Sequence, residues 1–177
     1  MTDSIAGKKT LYEVDPSIPY EATLRKTLEE LAREGHAVFV FMPKSSPLHN
    51  ALKGTAGVKF FLTTNDVNYM RVAEGTNEVL VPQSDTAILL DVVGKTLASS
   101  QGNVVFVFDS VSELLIMNGI EQTYKFLRQF LGLLNEPRAT GIFLFISAGH
   151  QTREVNLLRG IFPNHFVEDA RGPRLTK

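Results

Sequence analysis

Cysteine is absent from this 177-residue chain, and long apolar runs are absent as well. Without cysteine the chain has neither a disulfide nor a thiolate ligand for a metal ion. No apolar run approaches the roughly 20 residues that cross a bilayer. The N-terminal stretch MTDSIAGKK also lacks the apolar core of a signal peptide. These absences predict a cytoplasmic protein that does not contact a membrane.

A strong excess of one charge is also missing. The net charge is −1, so nucleic acid is an unlikely partner, because neutralising phosphates requires a basic surface. Apolar residues make up 44% of the chain and charged residues 21%, which predicts a folded chain rather than a disordered one. The length suits one domain with a sizeable core.

Apolar runs alternate with helical repeats along the whole chain. The predicted strands include the runs TLYEV, HAVFVFMP, VKFFLTT, NEVLVP, NVVFVFD, GIFLFISAG and HFVED. Alternating strands and helices predict an α/β fold, a three-layer sandwich with a mainly parallel central sheet. We expect one domain over residues 10–169, with an N-terminal tail at 1–9 and a polar, loose C-terminal tail at 170–177.

The opening stretch TLYEVDPSIPYEATLRKTLEEL reads as strand, loop and helix. The apolar run ends at Asp15, two prolines follow, and an amphipathic helix begins near Tyr20. This is the layout of a phosphate-binding loop, although the loop contains no glycine.

The order of elements resembles the RecA-like ATPase core and, within it, the archaeal and bacterial KaiC-like group. Three stretches carry the resemblance: the opening strand, loop and helix; the stretch REGHAVFVFMPKSSPLHNAL, similar to the second strand of the family; and NVVFVFDSVSELLI, similar to the Walker B strand, with Asp109 at its carboxyl end. The resemblance covers roughly residues 10–169 and implies a RecA-like fold.

The residues that the family uses on ATP are missing from the matching positions. A phosphate loop reads G-x-x-x-x-G-K-[ST], with glycines that turn N–H groups toward phosphate, a lysine that neutralises it and a hydroxyl that binds Mg²⁺. In this sequence the four positions hold Asp15, Tyr20, Glu21 and Ala22. The loop also contains Pro16 and Pro19, which lack an N–H donor.

A second family feature is missing, independently of the phosphate loop. The resemblance implies acidic residues after the second strand that prepare the attacking water, but those positions hold Lys44 and Ser45. Asp109 alone remains of the Walker motifs, and it is also explained as a helix cap or a satisfied strand end. We therefore expect no ATP cofactor and no catalytic residue. We also expect no metal site, because none of the four histidines has a ligand-like helical partner.

Four polar residues are candidates for a rebuilt ligand rim. Lys44, Asp109, His150 and Arg153 all follow predicted strands, and α/β sheets bind ligands outside the carboxyl ends of their strands. Together they would suit a small anion, whereas each of them is also explained as an ordinary surface residue.

The helix GIEQTYKFLRQFLGLLNEP carries two apolar stripes. One consists of Ile120, Tyr124, Leu127, Leu131 and Leu134, and the other of Phe126, Phe130 and Leu133. Either the helix is buried on more than one face, or one stripe packs on the sheet and the other on a partner. The second reading makes Phe126, Phe130 and Leu133 the anchors of a symmetric dimer.

Three functions remain open at this point. The first is a non-catalytic, KaiC-like pseudo-ATPase domain that works as a regulatory or protein-interaction module. It would self-associate as a homodimer or other homo-oligomer, or bind an ATPase or a signalling protein. The second is a small-molecule sensor or enzyme with a rebuilt site at the carboxyl ends of the strands. The third is a subunit that lends residues to an active partner's site.

Overall fold

Most of the predicted strands are followed by a helix in the structure, a computed structural model that describes residues 2–73, 75–83 and 86–177. The helices are α1 (Thr2–Ile5), α2 (Tyr20–Arg33), α3 (Pro47–Leu52), α4 (Thr86–Ser99), α5 (Val111–Leu133) and α6 (Thr152–Ile161). The strands are β1 (Lys9–Val14), β2 (Ala37–Pro43), β3 (Val58–Thr64), β4 (Arg71–Val72), β5 (Glu78–Pro82), β6 (Val104–Phe108), β7 (Ala139–Phe145), β8 (Asn164–Asp169) and β9 (Gly172–Leu175).

Within the described residues, the strands form one sheet in the order β4-β5-β3-β2-β6-β7-β1-β8-β9. The seven strands from β5 to β8 run parallel, and the short edge strands β4 and β9 are antiparallel to their neighbours. Parallel sheets need helices on both faces, and their strands are therefore apolar throughout. The predicted three-layer α/β sandwich is confirmed.

Side chains alternate between two cores, one on each face of the sheet. Along β6, Val104, Phe106 and Phe108 enter the core beneath α4, α5 and α6, while Val105 and Val107 enter the core beneath α1, α2 and α3. Successive side chains of a strand point to opposite faces, so one apolar run builds both cores. The sheet is therefore a rigid frame whose carboxyl ends present the connecting loops.

The sequence also predicts that the first long helix ends at Gly35 and that the helical region after β6 breaks near Asn118 and Gly119, and the structure confirms both. Gly35 follows α2 with φ +86°, a left-handed conformation in which a side chain would be strained. Gly119 interrupts α5 with φ +71° and ψ 172°, so the helix is kinked there. The kink separates the first part of α5, beside the carboxyl ends of the strands, from the long second part.

The phenylalanines of α5 are core residues, which corrects the prediction that they anchor an interface. Phe126 is 3% exposed and Phe130 is 1% exposed, whereas Leu133 is 38% exposed. The ring centroid of Phe130 lies 5.0 Å from that of Phe143 and 5.9 Å from that of Phe108. The buried residues of the second part of α5 recur at i, i+3, i+4 and i+7, so they form one face that includes members of both stripes: Thr123, Phe126, Leu127, Phe130 and Leu134.

The ends of the chain are more regular than predicted. Residues 1–9 contain α1, where Ile5 is fully buried and the Thr2 hydroxyl donates to Glu30 Oε2 at 2.6 Å. The C-terminal residues expected to be loose contain β9, which pairs with β8. Both were missed because short polar segments carry little periodicity and gain their order from neighbours. The sequence also predicts that Ser84 or Asp85 caps the helix after NEVLVP, and both residues lie outside the described part of the chain.

No helix in the described part of the chain is both long and apolar enough to cross a membrane.

Candidate functional site

In the loop between β1 and α2, backbone N–H groups donate hydrogen bonds to acceptors within the loop itself. Asp15 Oδ1 accepts from the Ser17 N–H at 2.9 Å and from the Ser17 hydroxyl at 2.7 Å. The N–H of Ile18 donates to the Asp15 carbonyl at 3.2 Å, and that of Tyr20 donates to the Ile18 carbonyl at 2.9 Å. Since Pro16 and Pro19 have no N–H, every residue from 16 to 20 either lacks a backbone donor or has engaged it within the loop.

Tyr20 is the first residue of α2 and is half-buried, while Glu21 is partly buried and Ala22 is exposed. Burial, helped by the negative charges of Asp109 and Glu21, raises the pKa of Tyr20 to about 12. The phenol is therefore neutral at physiological pH and lies near Asp109. A bulky ring thus stands at the start of the helix, where the resemblance expects a glycine.

Acidic side chains surround a cavity of about 230 Å³ at the carboxyl ends of β1, β7 and β8, beside this loop. Its carboxylates come from Glu13, Asp15, Glu168 and Asp169. Hydrogen bonds from Ser17 lower the pKa of Asp15. Hydrogen bonds from Arg174 and Arg171 hold the pKa of Asp169 far below its usual range. Asp15 and Asp169 are therefore ionised at neutral pH, and the two arginines bound to Asp169 balance its charge.

The buried carboxylate of Glu13 forms an ion pair with Arg159. Arg159 donates to its two oxygens at 2.6 and 3.0 Å, and the Ser147 hydroxyl donates at 2.5 Å. Burial opposes ionisation, but the hydrogen bonds from Arg159 and Ser147 outweigh it and lower the pKa of Glu13. The ion pair links β1 to α6, and the guanidinium of Arg159 is bound to Glu13.

Glu168 at the end of β8 lies deeper, and it has no cation beside it among the described residues. The Tyr12 hydroxyl donates to its Oε2, and the Thr23 hydroxyl donates to its Oε1 at 2.6 Å. Burial raises the pKa of Glu168 to about 7. Thr23 of α2 is thereby held toward the sheet by a carboxyl group. Sequence reasoning missed Glu13 and Glu168 because a single acidic residue in an apolar strand does not show what will face it.

Asp109 lies at the end of β6 and contacts the start of α3. The Ser46 hydroxyl donates to Asp109 Oδ2 at 2.6 Å, while its oxygen accepts from the Leu48 N–H at 3.2 Å and so caps α3. The cap of α5 is Ser110, whose hydroxyl accepts from the Glu113 N–H at 3.1 Å. The explanation of Asp109 as the cap of the following helix is therefore wrong. The stretch SPLHNALKG also predicts a short helix capped by Ser46, and this prediction is confirmed.

Burial raises the pKa of Asp109, and the hydrogen bond from Ser46 offsets only part of the effect. Burial also raises the pKa of Glu113, and the nearby charge of Asp109 adds to it. Asp109 lies at the end of β6 and Glu113 in the first turn of α5, and both line the same cavity.

A cavity of about 260 Å³ opens beside these two carboxyl groups. It lies at the carboxyl ends of β2 and β6 and between α4 and α5, with mostly apolar walls that include Phe41, Leu89 and Phe108. Sequence reasoning found Asp109 but missed Glu113. The available signal was an acidic residue in the first turn of the helix that directly follows the strand end at Asp109.

The predicted rim of Lys44, Asp109, His150 and Arg153 is not one site. Among these residues only Asp109 lines the cavity. Lys44 is exposed and its Nζ pairs with Asp66 Oδ2 at 2.9 Å, and the His150 ring stacks on Phe145 at a centroid distance of 5.3 Å. Arg153 is exposed on α6. The preceding strands β2, β6 and β7 are neighbours in the sheet, yet Lys44 and His150 contact Asp66 and Phe145 and do not line the cavity beside Asp109.

Within residues 2–73, 75–83 and 86–177, no three His, Asp or Glu side chains are arranged to hold a metal ion. The expectations of no metal and no cofactor stay predictions.

The sequence matches no protein-family model and no curated protein. Solved structures do match the fold. A structural-study target from Pyrococcus horikoshii OT3 aligns with a TM-score of 0.68 and 13% identity over 98% of this chain and 87% of its own. A KaiC-like protein from the same organism aligns with a TM-score of 0.64 and 12% identity over 97% of this chain and 80% of its own. The chain has a KaiC-like fold.

Two further similarities agree with this fold. An uncharacterized P. horikoshii protein, solved in complex with an unknown peptide, aligns with a TM-score of 0.63 and 12% identity over 96% of this chain and 82% of its own. An ATPase from a bacterial type III secretion system aligns with a TM-score of 0.52 and 11% identity over 94% of this chain but only 52% of its own. At these identities the similarity concerns the fold alone, and the KaiC-like and RecA-like architecture predicted from the sequence is confirmed.

Proposed function

We propose that this protein is a non-catalytic KaiC-like domain that does not bind ATP productively and acts as a regulatory or protein-interaction module. The observation that carries the proposal is the hydrogen bonding of the loop at residues 15–20. A phosphate loop works because several backbone N–H groups point at the phosphates without an intramolecular partner. In this loop the N–H groups of Ser17, Ile18 and Tyr20 already have partners inside the loop, and two residues are prolines.

The charges of the same corner support the proposal. Asp15 lies in the loop and Glu21 follows it, and neither forms an ion pair within the described residues, whereas a triphosphate needs cations there. The arginines of this corner are already bound, Arg159 to Glu13 and Arg171 and Arg174 to Asp169. Two unit charges of like sign about 4 Å apart repel by roughly 1 kcal/mol even in water, and by more in a partly dry cleft.

Isothermal titration calorimetry with Mg-ATP and Mg-ADP tests the first half of this proposal. We expect no heat of binding at micromolar nucleotide concentrations. A KaiC-like ATPase with an intact phosphate loop, titrated in the same buffer, controls for the assay. A micromolar dissociation constant for this protein would refute the proposal.

The second half concerns association with protein. We propose a second copy of this chain as the partner, and exposed apolar side chains support it. Ile116 is 77% exposed, Tyr69 71% and Val72 63%, although burying a large apolar side chain stabilises by roughly 1.5–3 kcal/mol. Light scattering coupled to size exclusion over a hundredfold range of concentration measures the oligomeric state. A monomer at every concentration would refute self-association and leave an ATPase or signalling protein as the partner to test.

A second candidate function is small-molecule binding, which the cavity beside Asp109 favours. It lies outside the carboxyl ends of parallel strands, where α/β proteins bind ligands, and it combines apolar walls with a few polar groups. A thermal-shift screen separates this function from a pure interaction role, since a ligand of the folded state raises the melting temperature.

A further inference from the structure

The cavity beside Asp109 has a particular chemistry. Its walls are largely apolar, with Phe41, Phe108 and Leu89 on the sheet and helix sides and Leu114 and Met117 from α5. Its volume of about 260 Å³ is at the small end of the range for ligand pockets, and therefore suits a compact molecule. A flat apolar body would fill such a space and bury most of its surface.

Among the described residues, the charged side chains that line the cavity are carboxyl groups, and its other polar side chains are neutral. Asp109 and Glu113 both line it, and the hydrogen bonds recorded for their side chains come from the Ser46 hydroxyl and, at 3.3 Å, from the Gln83 amide. No lysine, arginine or histidine in the described part of the chain forms an ion pair with either carboxyl group. Two neighbouring carboxyl groups thus lie in a partly dry cavity without a counter-charge.

We propose that this cavity binds a small organic cation, with an ammonium or amidinium group at Asp109 and Glu113 and a flat apolar body against Phe41, Phe108 and Leu89. The proposal rests on the small-molecule alternative and specifies its ligand class. It also reverses the expectation from the sequence, because a rim of Lys44, His150 and Arg153 would have bound an anion.

The energetics favour a cation over other ligands. Burying a carboxyl group without a partner is costly, so both groups hold their protons more tightly than usual, as their raised pKa values show. A cation placed between them supplies the missing charge-assisted hydrogen bonds, and those are roughly twice as strong as neutral ones. An aromatic ring in the wall also attracts a flat cation through its face. An anion meets repulsion instead, and a neutral molecule gains only the apolar contact.

Benzamidine is a suitable probe, because benzamide is nearly the same shape without the charge and benzoate carries the opposite charge. We expect titration calorimetry to show benzamidine binding at least tenfold more tightly than benzamide, and no binding of benzoate. Glu113→Gln keeps the size of the side chain and should weaken benzamidine at least fivefold while leaving benzamide unchanged. Asp109→Asn should have the same effect, and it carries the test if Glu113→Gln does not fold.

Glu121→Gln is the matched control. Glu121 lies on the same helix, is exposed and pairs with Lys125 outside the cavity, so the variant removes the same charge without touching the site. We expect it to bind benzamidine as the wild type does. Equal affinities for benzamidine and benzamide, no binding up to millimolar concentration, or equal losses in Glu121→Gln and Glu113→Gln would each overturn the proposal. These results are independent of the Mg-ATP titration, so the two proposals fail separately.

Discussion

Replacing Phe130 by alanine tests whether α5 holds the core or an interface. The Phe130 ring is 1% exposed and lies within 6.4 Å, centroid to centroid, of the rings of Phe41, Phe106, Phe108, Phe126 and Phe143. A buried Phe→Ala substitution costs about 3–5 kcal/mol through lost burial and the cavity it leaves. Total stability for a domain is typically about 5–15 kcal/mol, so the variant should fold but with a much smaller margin.

The assay compares Phe130→Ala with Leu133→Ala. Leu133 is three residues further along the same helix but 38% exposed, and its truncation should cost about 1 kcal/mol or less. Urea and thermal denaturation, followed by circular dichroism, give both values. At about 2–4 °C per kcal/mol for a chain of this size, we expect Phe130→Ala to melt roughly 6–20 °C below the wild type.

One pair of results would refute the assignment of Phe130 to the core. If Phe130→Ala were as stable as Leu133→Ala and light scattering showed that it converts an oligomer to a monomer, the phenylalanines would be interface anchors after all. A melting temperature that falls equally for both variants would mean that their burial does not differ as the structure shows.

The other predictions concern the loop, a buried carboxyl group and a cap. Glu21→Lys with Ala22→Thr should not restore Mg-ATP binding in calorimetry, because Pro16 and Pro19 remain and the loop N–H groups stay engaged. Glu168→Gln should gain stability relative to the wild type as pH rises from about 4.5 to about 7. Over that window the unfolded Glu168 loses its proton while the folded one keeps it, which costs the wild type up to about 3 kcal/mol. Ser110→Ala should lower the free energy of unfolding by about 0.5–2 kcal/mol, measured with urea, because α5 loses its cap.

Each of these predictions has a result that would contradict it. Tight Mg-ATP binding by the double variant would mean that side chains, not the backbone, are the main obstacle. A difference between Glu168→Gln and the wild type that stays constant from pH 4 to pH 8 would mean that Glu168 ionises normally. Ser99→Ala, at the exposed end of α4, is the control for Ser110→Ala, and an equal loss in both would remove the special role of the cap.

The sequence alone determined the layers of this protein. Continuous apolar runs such as VVFVF at 104–108 have no polar face, so they must be covered on both sides, and helices between them supply the covers. The stop of α2 at Gly35, the kink at Gly119 and the cap at Ser46 were also predictable, because backbone conformation and capping depend on a few adjacent residues. Missing glycines and a missing lysine in the loop at residues 15–20 are likewise a matter of sequence.

Tertiary structure alone decided which side chains meet. Strands that are neighbours in the sheet, such as β1, β7 and β8, are far apart in the chain, so the approach of Glu13 to Arg159 cannot be read from spacing. Lys44 likewise pairs with Asp66, 22 residues further along the chain, and does not line the cavity beside Asp109. Burial of Phe126 and Phe130 also depends on the size of the space between α5 and the sheet. Aromatic side chains from several strands together determine that size. Local sequence patterns determine the helices and strands. The ion pairs and the cavities arise from contacts between residues that are distant in the chain.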